Sequence, residues 1–258
     1  MSRTAAVSNV SFLHGLSGRP GDANLGSRGL LAGTRVIGTK PLGLGGDGDN
    51  ILDQTVAQFD AMIADAKGYI HLIGFSIGAM VACKIAAERP DEVGRLSLIS
   101  PAAPLQLGDF LPHMAGAPVF QMAQDHPRRL AMATAAQGLV SRIAPGLITK
   151  VLFAKCGPQE KALMADEQFK FLLQRALDIS YRKNAVQYRR MLAAYVGDWS
   201  DTLDGIQCPV DLWHGSDDSW APIDMSESLK AAISSPTVLH EIKGGEHYST
   251  LTKFFAEG

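Results

Sequence analysis

The period of the apolar positions changes repeatedly along the chain, and each change predicts an element. Residues 7–13 (VSNVSFL) and 35–38 (RVIG) are short runs rich in β-branched residues, which predicts two buried strands. Leu52, Val56, Phe59 and Ile63 then recur at helical spacing, after a turn at 45–50 that ends in a helix N-cap and with Gly68 as a stop. Residues 69–73 form the next strand-like run. It breaks at Gly74-Phe75-Ser76-Ile77-Gly78, after which Val81, Ala82, Ile85 and Ala86 mark one helical face that Pro90 ends. Residues 96–99 read as another buried strand. From 104 to about 205 no strand-like run occurs; Pro158 can open a helix there, and Phe169, Leu172, Leu173 and Leu177 give a buried face. Strands return at 210–215 and 237–242, separated by a helix through Met225, Leu229, Ala232 and Ile233. A last helix runs through Leu251, Phe254 and Phe255. Strands alternating with helices imply a parallel sheet covered on both faces, interrupted by one wholly helical stretch.

Bulk composition narrows the partners. The 258 residues suffice for one large domain with a buried core. Lys and Arg number 24 against 26 Asp and Glu, for a net charge of -2 without long runs of either sign, so neither nucleic acid nor an anionic membrane surface is expected as a partner. No segment is long and apolar enough for a membrane span. Residues 1–9 lack the apolar core of a secretory signal, and Cys83, Cys156 and Cys208 are scattered in apolar or helical surroundings. The expectation is a cytoplasmic protein with buried thiols. The oligomeric state is open. Five of the nine methionines (Met114, Met122, Met132, Met164, Met191) fall in the helical stretch, where core packing is expected of them and a pliable apolar pocket is their other use. The two carboxylates of GGDGDN at 45–50 are too few to hold calcium.

The candidate chemistry lies where the strand before Ser76 turns directly into a helix. A turn that sharp crowds the backbone, and Gly74 and Gly78 relieve it while the serine hydroxyl stays at the tip. The helix N-terminus beside it offers N–H groups and positive potential to an oxygen that becomes negative. This G-x-S-x-G elbow in strand-turn-helix context resembles the α/β-hydrolase family, and three further segments extend the resemblance over nearly all of the chain except the helical stretch. His14-Gly15-Leu16 resembles the loop that donates one oxyanion N–H, here that of Leu16, with Ile77 as the second donor. The segment 214–222 (HGSDDSWAP) resembles the one that presents the triad acid. By that alignment the acid is Asp218, while the rival Asp217 caps the turn and His214 is a strand-end residue without a chemical role. Gly244-Gly245-Glu246-His247 resembles the segment carrying the base.

The resemblance implies an α/β fold: a mostly parallel central sheet flanked by helices, with core 1–103 and 206–258 and an inserted α-helical cap at 104–205. It implies Ser76 as nucleophile, His247 as base and Asp218 as acid, in the chain order of the family, with no metal or organic cofactor. A serine at the elbow disfavours the haloalkane and epoxide hydrolases of this fold. Hydrolysis of a carboxylic ester, lactone or thioester leads, acting on a small-molecule substrate with a small or medium apolar acyl group. Phe75 and Trp220 are the expected pocket residues. Hydrolytic carbon–carbon cleavage of a β-diketone or dienoate, cofactor-free perhydrolysis, and a ligand receptor on the same fold remain open.

Overall fold

The structure, a computed structural model, describes residues 9–13, 35–38 and 50–257. Its chain order is β1 (Asn9–Leu13), β2 (Arg35–Gly38), α1 (Ile51–Ile63), β3 (Ile70–Phe75), α2 (Gly78–Glu88) and β4 (Val93–Ile99). Six helices then run without a strand: α3 (Ala117–Asp125), α4 (Pro127–Ile143), α5 (Pro145–Leu152), α6 (Pro158–Ala165), α7 (Glu167–Asp178) and α8 (Ala185–Val196). The chain closes with β5 (Val210–Gly215), α9 (Asp224–Ala232), β6 (Thr237–Ile242) and α10 (His247–Glu257).

Among the described residues the six strands form one sheet in the order β2-β1-β3-β4-β5-β6, and every pairing is parallel. Parallel strands need helical crossovers, and these cover both faces. The alternation along β3 sorts its side chains accordingly. Leu72 joins the larger core with α1 and α2, whereas Ile73 and Phe75 meet Leu251, Phe254 and Phe255 of α10 on the other face. β4 begins three residues before the apolar run predicts, because Val93 pairs with Ile70 and Arg95 with His71. Arg95 interrupts the pattern without interrupting the ladder; its guanidinium reaches Asp211 of β5 instead of the core.

Local chemistry accounts for the helix ends. The Asn50 side chain accepts from the Leu52 N–H at 3.0 Å and so caps α1. Pro158 opens α6 as expected, and Pro127 and Pro145 open α4 and α5 in the same way, since a first-turn residue has no use for its N–H. α7 buries Phe169, Leu173, Ala176 and Leu177. The three cysteines are free and buried.

One packing expectation is corrected. Met114 and Met191 are buried, but Met132 is 73 % exposed. It lies on the outward face of α4 with Leu139 and Ile143, which are exposed as well. Helical period alone does not say which of two apolar faces turns inward.

Candidate active site

Three strand ends on the C-terminal edge of the sheet supply the site. Ser76 follows β3 and holds a backbone φ of +56°, a conformation L-residues adopt only when their surroundings impose it. Its N–H donates to the Ile99 carbonyl at 3.0 Å, and its carbonyl accepts from Ala79 at 3.0 Å and Ala102 at 3.2 Å. The turn is thereby pinned to β4 and to the start of α2. Gly74 is required by close approach: a Cβ there would lie 2.8 Å from the Ala82 Cβ and 3.0 Å from the Ala79 Cα, so β3 and α2 could not meet.

Asp218 and His247 follow β5 and β6. Their loops interlock where a Cβ on Gly215 would overlap the Gly245 carbonyl oxygen, an approach only glycine permits. The Asp217 N–H donates to Gly245 and the Ser216 N–H to Ile242, tying the two loops together. His247 Nδ1 then lies 2.8 Å from Asp218 Oδ2, in the buried interior. Asp218 Oδ1 accepts from the N–H groups of Trp220 (2.9 Å) and Ala221 (3.0 Å). Burial pushes the Asp218 carboxyl up, but the charge and hydrogen bond of His247, the His214 ring and the Ala221 N–H together hold it below the usual carboxylate range. Asp217 makes no such pair; its carboxylate accepts from the Ser216 hydroxyl at 2.8 Å on the surface.

His214 does more than end a strand. It is fully buried, and its Nε2 donates to the Ala221 carbonyl at 2.7 Å, so Nδ1 accepts from the Ser226 hydroxyl at 2.6 Å. Burial holds its pKa down, which keeps the ring neutral in this role. Ala221 thus gives its N–H to the acid and its carbonyl to His214, and the loop carrying Asp218 is fixed at both ends. The sequence signal, His four residues before Asp, says nothing of this, because Ser226 enters from the next helix.

Ser76, Ile77 and His247 line one cavity of about 470 Å³ whose walls are mostly apolar. The Ile77 N–H has no acceptor among the described residues. Phe75 and Trp220 line the cavity too, flanking the His247 ring at centroid distances of 4.8 and 5.9 Å. No hydrogen bond joins Ser76 to His247 among the described residues; such contacts commonly tighten only around a substrate. Leu16 and its loop lie outside the described residues. Tyr248, Phe153 and Phe169 extend the aromatic wall; the sequence places Phe169 on a buried helical face but marks none of the three as a pocket residue. Tyr248 had a local signal, as the neighbour of His247; Phe169 sits on α7 and Phe153 just past the end of α5, both in the insertion. Among the described residues no cluster of potential metal ligands occurs, and no helix is long and apolar enough to cross a membrane.

The elbow, the interlocked loops and the helical insertion over a parallel sheet define a class. The sequence pattern of the alpha/beta hydrolase family matches residues 12–254, and the chain belongs to that family. It is similar to a pimeloyl-(acyl-carrier protein) methyl ester esterase of Neisseria meningitidis serogroup C, with 27% identity over 221 residues, covering 78% of this chain and 75% of the relative. Among solved structures it shares the fold of a thermophilic esterase from Thermogutta terrifontis (TM-score 0.67, 18% identity, 96% of this chain and 85% of the other). It shares it equally with 2-hydroxy-6-oxo-6-phenylhexa-2,4-dienoate hydrolase from Rhodococcus sp. strain RHA1 (TM-score 0.65, 16% identity, 97% and 87%). The protein is therefore a hydrolase of this fold with esterase relatives.

Proposed function

We propose that the protein hydrolyses carboxylic esters through an acyl-enzyme, with Ser76 as nucleophile, His247 as general base and Asp218 as the acid that orients the base. The division into a core of 1–103 and 206–258 and a cap of 104–205 is part of this reading. The observation that carries it is the 2.8 Å pair between Asp218 Oδ2 and His247 Nδ1, on the wall of the cavity that Ser76 also lines.

An ionised Asp218 accepts the Nδ1 proton, which leaves Nε2 unprotonated and able to take the Ser76 proton as the hydroxyl oxygen attacks the ester carbonyl. The charge that develops on the carbonyl oxygen is met by the free N–H of Ile77 and, by the family resemblance, that of Leu16. The imidazolium returns its proton to the departing alkoxide, and water activated by the same ring releases the acid. The cavity's apolar lining suits a small or medium acyl chain, held between Phe75 and Trp220 and the cap. The N. meningitidis relative makes methyl esters of such acids the first class to assay.

The test is turnover of methyl and p-nitrophenyl esters of graded acyl length by the wild type and Ser76→Ala, with fluorophosphonate labelling in parallel. The wild type should show a chain-length optimum and label at Ser76, and Ser76→Ala should lose about four to six orders of magnitude in kcat/KM. Labelling at Ser76 without ester turnover would transfer the same nucleophile to dienoate cleavage, perhydrolysis or ligand reception. Undiminished turnover by Ser76→Ala would end the serine reading altogether.

A further inference from the structure

Two carboxylates outside the proposed triad cross between the cap and the core. Glu246 directly precedes His247, yet its side chain points at the start of cap helix α6: Oε2 accepts from the Gly157 N–H at 2.6 Å, and Oε1 from Gln159 at 3.0 Å and Glu160 at 3.4 Å. Pro158 has no N–H and Lys161 already donates to Gly157. One carboxylate from the core therefore satisfies every unpaired N–H in the first turn of α6. Glu160 returns the arrangement. Its Oε1 accepts from the N–H groups of Tyr248 at 2.6 Å and Ser249 at 2.9 Å, the first turn of α10 just beyond His247.

Both segments have the spacing of an N-terminal capping box, Gly157-Pro158-Gln159-Glu160 and Glu246-His247-Tyr248-Ser249. In an ordinary box the first and fourth residues serve the same helix. Here Ser249 Oγ does accept from the Glu246 N–H at 2.8 Å, but both glutamates serve the opposite helix. Gly157 brings no side chain to its own cap, and a Cβ there would lie 2.7 Å from Glu246 Oε1. Its smallness is what admits the foreign carboxylate. Glu160 is fully buried, and its Oε2 has no partner among the described residues, so the energetic case for burying it rests on the two N–H groups of α10.

We propose that Glu160 and Glu246 are positioning residues for His247, exchanging carboxylate caps between α6 and α10 so that the base is held in place only while the cap is seated. This rests on His247 being the general base. His247 is the first residue of α10, the turn whose amides Glu160 holds, and small displacements of a base cost rate more than binding.

The experiment compares Glu160→Ala, Glu160→Gln and Glu246→Ala with the wild type, by amide hydrogen exchange of the intact protein and by kcat and KM on the best ester. Because the bonds are reciprocal, Glu160→Ala should speed exchange about tenfold or more in both first turns, around 157–161 and around 247–250, although they lie far apart in sequence. It should lower kcat about 10- to 100-fold with KM held within about threefold. Glu160→Gln keeps an acceptor oxygen for the two N–H groups and should restore both readings to near wild type. Glu246→Ala should reproduce Glu160→Ala, and it carries the test if Glu160→Ala does not fold. Faster exchange confined to the helix that lost its own acceptor, or reciprocal exchange with unchanged kcat, would overturn the proposal. Failure of the catalytic reading looks different: Ser76→Ala would keep its turnover, while the exchange pattern, which needs no turnover, would still report on the paired caps.

Discussion

Asp218 offers its two oxygens to different donors, and that division decides what an amide would do in its place. Oδ1 is held by the Trp220 and Ala221 N–H groups, and Oδ2 by His247 Nδ1. In Asp218→Asn the single carbonyl oxygen stays with the two backbone donors, because an NH2 group there would face N–H groups. The amide NH2 then points at Nδ1 and moves the ring proton to Nε2, the nitrogen that must be free to accept from Ser76. We expect Asp218→Asn to fold normally by circular dichroism and to lose about 10⁴ in kcat. Activity within about tenfold of the wild type would show that the ring does not act as a base through Nε2. The reason Asp218, and not the adjacent Asp217, can play this part is burial: one carboxylate is enclosed with three N–H donors, the other sits at the surface with a serine hydroxyl.

Between elements, the elbow depends on how closely β3 approaches α2. Gly74→Ala would place its Cβ 2.8 Å from Ala82 and 3.0 Å from backbone at Ala79 and Gly78, and backbone cannot rotate out of the way. Thermal or urea unfolding of Gly74→Ala should show a loss of about 1–3 kcal/mol with activity reduced further, because the serine turn moves with α2. A variant as stable and active as the wild type would mean the strand and helix tolerate separation. This contact was legible in the sequence, as were the six described strands and the candidate residues Ser76, Asp218 and His247, because each is set by chemistry within a few residues: a run of apolar positions, then a turn that needs glycine. What the sequence hid is set at long range. His214 binds Ser226 across the β5–α9 connection, and Glu246 caps a helix 87 to 89 residues away, so neither partner can be read from the neighbouring residues. The start of β4 was obscured because Arg95 pairs in the ladder while its side chain leaves for Asp211. The outward methionine of α4 was obscured by a helix apolar on more than one face.

At the scale of the molecule, two titratable groups on different parts of the fold, Glu160 buried and His71 half-buried, pull its stability in opposite directions with pH. Burial raises the Glu160 carboxyl from 4.5 to about 7, prevailing over the Ser249 N–H, His247 and the Tyr248 N–H, with Asp218 adding to the rise. His71, on β3 and bonded to the Ser97 hydroxyl at 2.8 Å, is lowered from 6.5 to about 4 by burial and by Arg95, against the pull of Asp211. A group whose folded pKa is raised contributes stability that is complete below its unfolded value and is lost as pH climbs through the folded one; for Glu160 that window runs from about 4.5 to about 7. A depressed histidine does the reverse, so the His71 contribution is present above 6.5 and lost as pH falls toward about 4. The windows overlap, and the wild-type curve alone would show a broad plateau that reveals neither. Subtraction separates them. Glu160→Gln stays neutral at every pH and keeps His71, so its stability relative to the wild type should rise between pH 5 and pH 8, by up to about 3 kcal/mol for a carboxyl raised from 4.5 to about 7. Urea unfolding of both proteins across that range measures it. Parallel curves would show that Glu160 ionises as readily in the folded protein as in the unfolded chain, and hence that the seam between α6 and α10 admits water.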